Sequence, residues 1–367
     1  MNKKLVILAM LALVLTTGCF KQKEQNLDLS EFNVKKVETR TDEENTQKTN
    51  ENTQKKHDDI KDDNNTIKEK DVEIEPNNEQ ILPQKDEGEP QIIDENGTTE
   101  QKEAEIKLEA FNAQELKYKK LRGEIEDTIL DTEMLEKEDN TRYSWWLRLN
   151  NNHQVSGIDP YAEKILDDYK IVYAGDTSQK KVYLTFDEGY ENGYTPKILD
   201  TLKENNAKAI FFITGSYLKR NTELVRRMLD EGHKVGSHSV NHPSFPDIAS
   251  KNYEKLEKEM LDLEKDFYDE FGIGFSYIRP PRGEYSKRTL MAANQLGYKN
   301  VFWSYAYKDY DVNDQKGTDY AYNRVMDHLH NGMVVLLHAV SKDNANALDK
   351  MIKDIRAQGY EICAFDL

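Results

Sequence analysis

Apolar and polar positions follow a regular order over the second half of the chain. From Lys181 onward, short apolar runs rich in β-branched and aromatic residues alternate with longer segments in which apolar positions have helical spacing. Most of these helical segments end at a glycine, a common residue at helix ends. Alternation of this kind is typical of βα units in a parallel sheet.

Seven apolar runs predict strands, and the segments between them predict helices. The predicted strands are 181–188, 209–214, 233–239, 277–279, 300–305, 333–338 and 360–366. The predicted helices are 195–206, 222–231, 252–271, 287–296, 320–329 and 344–358. We therefore expect an α/β fold, a (β/α) barrel with about seven strands that is distorted or incomplete relative to a TIM barrel. An open doubly wound sheet is the alternative, because periodicity does not separate the two.

The start of the chain has a different character. Residues 1–18 combine a basic start, an apolar run and small residues, which predicts an export signal peptide. The stretch LTTGC, which ends at Cys19, resembles a bacterial lipobox with Thr16 where leucine is usual. We expect Cys19 to be lipidated, so that the protein is a lipoprotein anchored to the outer side of the cell membrane. Simple secretion and an uncleaved anchor are the alternatives.

A long polar segment, 19–107, follows the signal and consists mainly of Glu, Asp, Lys, Gln, Asn and Thr. It contributes to a net charge of −17 and a mean hydropathy of −0.85. Such a segment cannot bury enough apolar surface to offset the entropy of ordering, so we expect a disordered linker that reaches on the order of 50 Å. Its acidic residues argue against nucleic acid as a partner. Residues 108–140 predict a helical stalk or collar, and residues 141–367 a folded domain.

Several predicted strands end in polar residues of the types that catalyse reactions. They are Asp187 and Glu188 after the first strand, His238 after the third, Arg279 after the fourth, Asp309 beyond the fifth and His338 after the sixth. In a (β/α) barrel the carboxyl ends of the strands converge on one mouth, where active sites lie. We expect these side chains to face one site. Taken alone, Asp187 would also serve as a helix cap and His338 as a hydrogen-bonded core residue.

Two histidines four residues apart indicate a metal site. His238 and His242 lie in the run HSVNH, and on a helical turn this spacing places both imidazoles on one side, where they suit a divalent ion such as zinc. The zinc-protease motif requires Glu directly after the first histidine, and Ser239 stands there instead. Zinc-protease chemistry is therefore not expected.

Five ordered motifs carry a resemblance to a known family. They are TFDE (185–188), HSVNH (238–242), RPPRG (279–283), WSYAYKDY (303–310) and LLH (336–338). With these motifs the sequence resembles the polysaccharide deacetylases of carbohydrate esterase family 4, also called the nodulation-type deacetylase domain. The resemblance extends from about Trp145 to Leu367. It implies an enzyme that hydrolyses a linear amide, the N-acetyl group of a sugar.

The resemblance also implies roles for individual residues. Asp187 would be the general base and His338 the general acid, with Arg279 as the partner of Asp187 and Asp309 as the partner of His338. A backbone N–H near Arg282 would complete an oxyanion site. The aromatic residues that offer surfaces for a sugar ring are Trp303, Tyr305, Tyr307 and Tyr310, and Trp303 would fit equally well in the core.

A divalent metal is the cofactor that the resemblance implies, zinc first, with cobalt, manganese and magnesium as alternatives. Its expected ligands are His238, His242 and Glu188. Glu188 stands where most of the family has aspartate, and its longer side chain would shift the position of the metal. This departure leaves metal dependence open.

Within the family, the segments FDEGYENGYTPKIL, RPPRGEYS and LLHAVSKDNANALD are most similar to the delta-lactam-biosynthetic de-N-acetylases. The resemblance implies removal of acetyl from N-acetylmuramic acid in peptidoglycan, leading to muramic delta-lactam in the spore cortex. The expected partners are glycan strands, the membrane and an upstream amidase, and a monomer is expected. A deacetylase of N-acetylglucosamine in peptidoglycan or another polysaccharide, and a catalytically weak wall-binding lipoprotein, are the alternatives.

Overall fold

The computed structural model describes residues 112–150 and 152–367. The predictions for residues 1–18, for Cys19 and for residues 19–107 lie outside the described residues. Among residues 112–150 and 152–367, no helix has the length and apolar character needed to cross a membrane. The helices are α1 (112–121), α2 (Thr132–Lys137), α3 (Pro160–Glu163), α4 (Thr195–Glu204), α5 (Gly215–Arg220), α6 (Thr222–Asp230), α7 (Phe245–Ala249), α8 (Tyr253–Phe271), α9 (Lys287–Gln295), α10 (Thr318–Met326) and α11 (Lys342–Ala357).

Most strands are short, and one long strand stands at the centre. The strands are β1 (Tyr143–Ser144), β2 (Leu147–Arg148), β3 (Gly157–Ile158), β4 (Ile171–Val172), β5 (Lys181–Glu188), β6 (Ala209–Ile213), β7 (Lys234–Ser237), β8 (Tyr277–Ile278), β9 (Glu284–Tyr285), β10 (Lys299–Val301), β11 (Met333–His338) and β12 (Glu361–Ile362). Every residue of β5 after Lys181 is buried, as its apolar composition predicts for a strand covered on both faces.

A curled parallel sheet forms the core of the fold. Its strands follow the order β4, β10, β8, β7, β6, β5, β11, and β12 pairs with β5 beside this path. The two ends of the path meet, because Tyr305 bridges to Val335 and the N–H of Gly175 donates to the carbonyl of Gly332 at 2.8 Å. The expected distorted barrel of about seven strands is thus confirmed. One detail differs: β12, in the last predicted strand, lies beside the path, and β4, in residues 170–174 whose sequence is also strand-like, occupies a place on it.

Helix boundaries agree with the sequence because the local stop and start signals are strong. The side chain of Asn252 caps α8 by accepting from the N–H of Lys255, and Gly272 ends this helix at φ 71°. Ser341 caps α11 in the same way by accepting from the N–H of Asn344. These caps satisfy backbone groups that a helix end leaves without a partner.

The described part of the predicted stalk or collar, residues 112–140, packs closely on the barrel. Leu121, Leu130 and Leu135 are buried, and the latter two belong to the main hydrophobic core. Lys117 of α1 is 1% exposed, donates to the carbonyl of Phe275 at 2.7 Å and lies 3.1 Å from a carboxylate oxygen of Glu264. Residues 112–140 therefore form a collar that shares the core of the domain.

Candidate active site

A cavity of about 830 Å³ opens at the carboxyl ends of the strands. Its walls include Asp187, His238, His242, Arg282, Trp303, Tyr310 and His338. The strand register explains why these residues meet, since Asp187 of β5 and His338 of β11 are direct neighbours in the sheet. His238 and Arg279 follow β7 and β8, whose last residues are also paired. The sheet therefore brings residues from distant motifs to one mouth.

Asp187 is held by a buried arginine. Arg279 donates to Asp187 Oδ1 at 2.6 Å and to Thr185 at 2.9 Å, and its guanidinium is completely buried. Burial alone would raise the pKa of Asp187, but the charges of Arg279 and then His238 outweigh it and hold this pKa below its ordinary value. Asp187 is therefore an ionised carboxylate that faces the cavity in a fixed orientation.

His338 is held by the buried carboxylate of Asp309. Its Nδ1 lies 2.7 Å from Asp309 Oδ1, and its backbone N–H donates to Asp309 Oδ2 at 2.8 Å. Burial lowers the pKa of the imidazole, but Asp309 outweighs burial and raises the pKa above its ordinary value. Because Nδ1 faces Asp309, Nε2 is the ring nitrogen left to exchange a proton with a bound molecule.

The two histidines of HSVNH meet as expected, but the path of the backbone differs from a helical turn. The centroids of the His238 and His242 rings are 4.7 Å apart, and the rings are arranged edge to face. Ser239 and His242 have φ of 66° and 57°, which is the left-handed region, and the hydroxyl of Ser239 accepts from the N–H of His242 at 2.8 Å. A tight loop therefore produces the proximity that the spacing predicts for a helix.

Both histidines favour the neutral form, in which they are available as ligands. Burial lowers the pKa of His238, and burial together with the charge of His238 lowers the pKa of His242 to about 4. Nδ1 of His238 lies 2.9 Å from the carbonyl of Arg279, a geometry in which Nδ1 carries the proton. Nε2 of His238 is then free of hydrogen, the form that binds a metal.

Glu188, the third expected ligand, lies elsewhere. Successive side chains of a strand point to opposite faces, so Glu188 turns away from the cavity that Asp187 faces. It is completely buried, and Thr195 of α4 donates to its carboxylate at 3.3 Å. Burial, reinforced by the charge of Glu191, raises the pKa of Glu188 well above its ordinary value. The structure therefore does not join Glu188 to the histidine pair, in contrast to the expectation.

The residues present fit a divalent metal only in part. His238 and His242 have the right chemistry, but protein zinc sites normally supply three or four ligands. Among residues 112–150 and 152–367, no group of three His, Cys, Asp or Glu side chains has the geometry of a metal site. A metal held by three side chains of this described part of the chain is therefore not supported.

The aromatic residues of the WSYAYKDY motif divide between the cavity and the core. Trp303, Tyr307 and Tyr310 line the cavity, and Tyr310 is 57% exposed with its ring edge-to-face against His338. Tyr305 does not reach the cavity, which corrects the expectation for this residue. It is completely buried and stacks on His328, because it bridges to β11 in the sheet.

Arg282 lies on the rim in a strained turn. Its φ of 60° is left-handed, which costs an ordinary residue about 1 kcal/mol or more. Gly283, also left-handed, lies next to it and packs against Trp303 and Trp145. Strain of this kind concentrates at functional sites, where surrounding structure maintains it. The guanidinium of Arg282 is an exposed cation at the edge of the cavity.

Two contributors to the site were not predicted as site residues. Tyr190 follows Gly189 in the loop after β5, is 48% exposed and lines the cavity. Asn344 of α11 donates to Asp309 Oδ2 at 2.6 Å. For Tyr190, the sequence signal is an aromatic residue two positions after the TFDE motif. For Asn344, local sequence gives no signal beyond its position in the first turn of a helix that follows His338.

Comparison with known proteins identifies the class of this arrangement. A family model described as polysaccharide deacetylase matches residues 174–301, a range that contains Asp187, His238, His242 and Arg279. The peptidoglycan-N-acetylmuramic acid deacetylase PdaA of Bacillus subtilis is 41% identical over 228 residues, which are 62% of this chain and 86% of that protein. A peptidoglycan-N-acetylglucosamine deacetylase of Listeria monocytogenes is 33% identical and covers 52% of this chain, with 39% of that protein matched.

Solved structures agree with the sequence comparison. The structure of Bacillus subtilis PdaA, a family 4 carbohydrate esterase, has a TM-score of 0.60 and 40% identity, covering 62% of this chain and 97% of that one. A family 4 carbohydrate esterase from Bacillus anthracis has a TM-score of 0.52 and 40% identity, covering 62% of this chain and 96% of that one. The chain belongs to the polysaccharide deacetylases of carbohydrate esterase family 4 and is a hydrolytic deacetylase. Deacetylases of this family are generally metal-dependent.

Proposed function

We propose that this protein removes the acetyl group from N-acetylmuramic acid in peptidoglycan. The observation that carries the proposal is the placement of two charged pairs, Asp187 with Arg279 and His338 with Asp309, at one cavity. The 41% identical relative named as a muramic acid deacetylase supports the choice of sugar. The cell wall, outside the membrane, is then the place of action.

The geometry accounts for both proton transfers of amide hydrolysis. Asp187 takes a proton from water while the water oxygen attacks the acetyl carbonyl carbon. The tetrahedral intermediate collapses as the bond from carbon to nitrogen breaks, and His338 Nε2–H gives its proton to the leaving nitrogen. Acetate and a free sugar amine are the products. Arg279 keeps Asp187 ionised and oriented, and Asp309 holds His338 in the orientation and charge state of an acid.

Selection of muramic acid requires recognition of the group that distinguishes it from glucosamine. Muramic acid carries a lactyl ether at O3, which ends in a carboxylate when no peptide is attached. Arg282 places an exposed guanidinium on the rim of the cavity, where it suits a carboxylate through two parallel hydrogen bonds. We assign Arg282 this role, and it implies that an amidase removes the peptide before the deacetylase acts.

The remaining parts of the proposal concern the setting of the enzyme. The free amine formed beside the lactyl carboxylate can condense to a delta-lactam with loss of water, as in the spore cortex. Lipidation at Cys19 and the polar linker would place a monomeric domain within reach of the wall. A divalent ion, zinc first, would use His238 and His242 as ligands.

Mass spectrometry of muropeptides tests the function directly. The purified protein is incubated with intact and with amidase-treated peptidoglycan, with and without added divalent metal, beside the Asp187→Asn variant. We expect loss of acetyl from muramic acid in the amidase-treated sample. Loss from glucosamine instead would preserve the chemistry and overturn the choice of sugar. If neither sugar changes in any sample, a wall-binding role replaces the enzymatic one.

A further inference from the structure

The hydrogen bonds of Asp309 continue beyond His338 into α11. Oδ1 of Asp309 faces His338 Nδ1, while Oδ2 accepts from the backbone N–H of His338 at 2.8 Å and from Asn344 Nδ2 at 2.6 Å. The same amide nitrogen donates to the carbonyl of His338 at 3.3 Å. Asn344 is 1% exposed, so these bonds form away from water. The amide therefore contacts both members of the acid pair.

The orientation of the Asn344 amide is fixed from its other end. The hydroxyl of Tyr307 is hydrogen-bonded to Asn344 Oδ1, which assigns the amide oxygen to that side and the nitrogen to Asp309. A flipped amide would place its oxygen against the Asp309 carboxylate. The backbone of Asn344 is held by Ser341, whose hydroxyl also donates to Gln315 at 2.7 Å. The hydrogen bonds of the Asn344 side chain therefore favour a single orientation of the Asp309 carboxylate.

We propose that Asn344 is a positioning residue for deacetylation, which, oriented by Tyr307, holds Asp309 in the rotamer that aims His338 at the leaving nitrogen. The inference rests on the proposed function of the same site. Among the described residues, two hydrogen bonds besides the one to the imidazole keep the Asp309 carboxylate from rotating about its side-chain bond. Without the amide, Oδ2 keeps a single donor and the plane of the carboxylate is free to tilt. His338 would then lose its alignment with the substrate nitrogen, and misplacement by about 1 Å can lower a rate about 100-fold.

The Asn344 amide also weakens the electrostatic attraction between the Asp309 carboxylate and the His338 imidazolium. A donor on Oδ2 stabilises the carboxylate, so its removal makes Asp309 a stronger partner for the imidazolium. The other groups that act on His338 are the carboxylate of Asp187, the guanidinium of Arg279 and the phenol ring of Tyr310. His238 and His242 line the same cavity and carry little charge because the pKa of each is lowered. None of these groups contacts Asn344, so a change at Asn344 reaches the His338 ring through Asp309 and through the backbone carbonyl of His338.

The test compares Asn344→Leu and Tyr307→Phe with Asn346→Leu, an exposed asparagine two positions along the same helix. Steady-state kinetics on amidase-treated peptidoglycan give kcat and KM across pH, and NMR titration of the His338 ring gives its pKa without turnover. For Asn344→Leu we expect kcat to fall about 10- to 100-fold with KM within about twofold, and the pKa of His338 to rise. Tyr307→Phe should change kcat in the same direction by less, and Asn346→Leu should resemble the wild type.

A role of Asn344 in packing or capping alone would lower the melting temperature and leave kcat and the pKa of His338 unchanged, which would overturn the inference. If Asn344→Leu does not fold, Tyr307→Phe decides, because it removes one hydroxyl and leaves the amide in place. Failure of the proposed function is recognised separately, since the wild type would then release acetate from neither sugar. In that case the NMR titration still tests the inference. An unchanged pKa of His338 in Asn344→Leu and in Tyr307→Phe refutes it.

Discussion

The guanidinium of Arg279 and the carboxylate of Asp187 lie 2.6 Å apart although 92 residues separate them along the chain. Arg279 lies directly after β8, and Asp187 lies near the end of β5. In the sheet, β6 and β7 are between these two strands. The same guanidinium also donates to the backbone carbonyls of Val301 and Phe302, beside β10. One buried cation thus connects β5, β8 and β10 at the residue proposed as the base, so we expect stability and activity to depend on the same contact.

Asp187→Asn should eliminate most activity and also destabilise the fold. Loss of the base should lower kcat about 10²- to 10⁴-fold, and the unpaired guanidinium of Arg279 should lower the free energy of unfolding by about 3 to 5 kcal/mol. Urea unfolding and acetate release measure the two effects. The double variant Asp187→Asn, Arg279→Met removes both charges, so it should recover stability without recovering activity. Near-normal turnover by Asp187→Asn would show that another group is the base.

The pH dependence of kcat/KM should reflect the two buried pairs. His338 must be protonated to act as an acid, so the rate falls as pH rises through its pKa, and the raised pKa extends activity to higher pH. Asp309→Asn removes the charge that raises this pKa and leaves burial, which lowers it. The alkaline limb of the profile should therefore move to lower pH in that variant. Asp311→Asn, a change at a half-buried residue of the same loop, should leave the profile in place.

Much of the fold and part of the site follow from local sequence. Buried strands with glycine-terminated helices between them predict the barrel, and polar residues at strand ends predict Asp187, His238, Arg279 and His338. Both signals are local, because strand and helix periodicity and the strand-to-loop change in polarity are properties of short segments. The convergence of these residues then follows from parallel pairing.

The parts that the sequence did not predict depend on side-chain direction and long-range packing. Glu188 is next to Asp187 in the chain, but strand alternation sends it into the protein, toward Thr195. Tyr305 is an aromatic residue of the type on which a sugar ring can stack, yet its pairing with β11 buries it. Asn344 acquires its role only because α11 starts beside the loop that carries Asp309. A motif gives residue types, whereas these outcomes require the register of the sheet.

Metal affinity should depend on the histidine pair and not on Glu188. Calorimetric titration with zinc should show at least about tenfold weaker binding for His238→Ala and for His242→Ala than for the wild type. Glu188→Gln should bind zinc within about twofold of the wild type, because the carboxyl group is buried against α4. Its thermal stability is the property we expect to change. An equal loss of affinity in Glu188→Gln would mean that Glu188 turns toward the histidines when metal binds.

Substitution of Arg282 should change the choice of sugar more than the chemistry. A charge-assisted hydrogen bond contributes about 1.5 to 3 kcal/mol, so Arg282→Gln should raise KM for amidase-treated peptidoglycan about 10- to 100-fold. Arg282→Lys should recover only part of this, since lysine cannot form two parallel bonds to a carboxylate. Activity on a chitooligosaccharide, which lacks the lactyl group, should be unaffected. Equal losses on both substrates would assign Arg282 to the general shape of the cavity.

The collar should be required for the stability of the barrel. Lys117 and Glu264 are completely buried, and the carboxylate also accepts from the backbone N–H of Phe275 at 2.7 Å. Lys117→Met leaves the charge of Glu264 without its cation, which should lower the free energy of unfolding by about 3 to 5 kcal/mol in urea titrations. The control is Lys119→Met, two residues along the same helix, where the pair with Glu115 is exposed and should contribute less than about 1 kcal/mol. If the two variants unfold at the same urea concentration, α1 does not dock on the barrel in solution, and residues 112–140 act as a separate stalk.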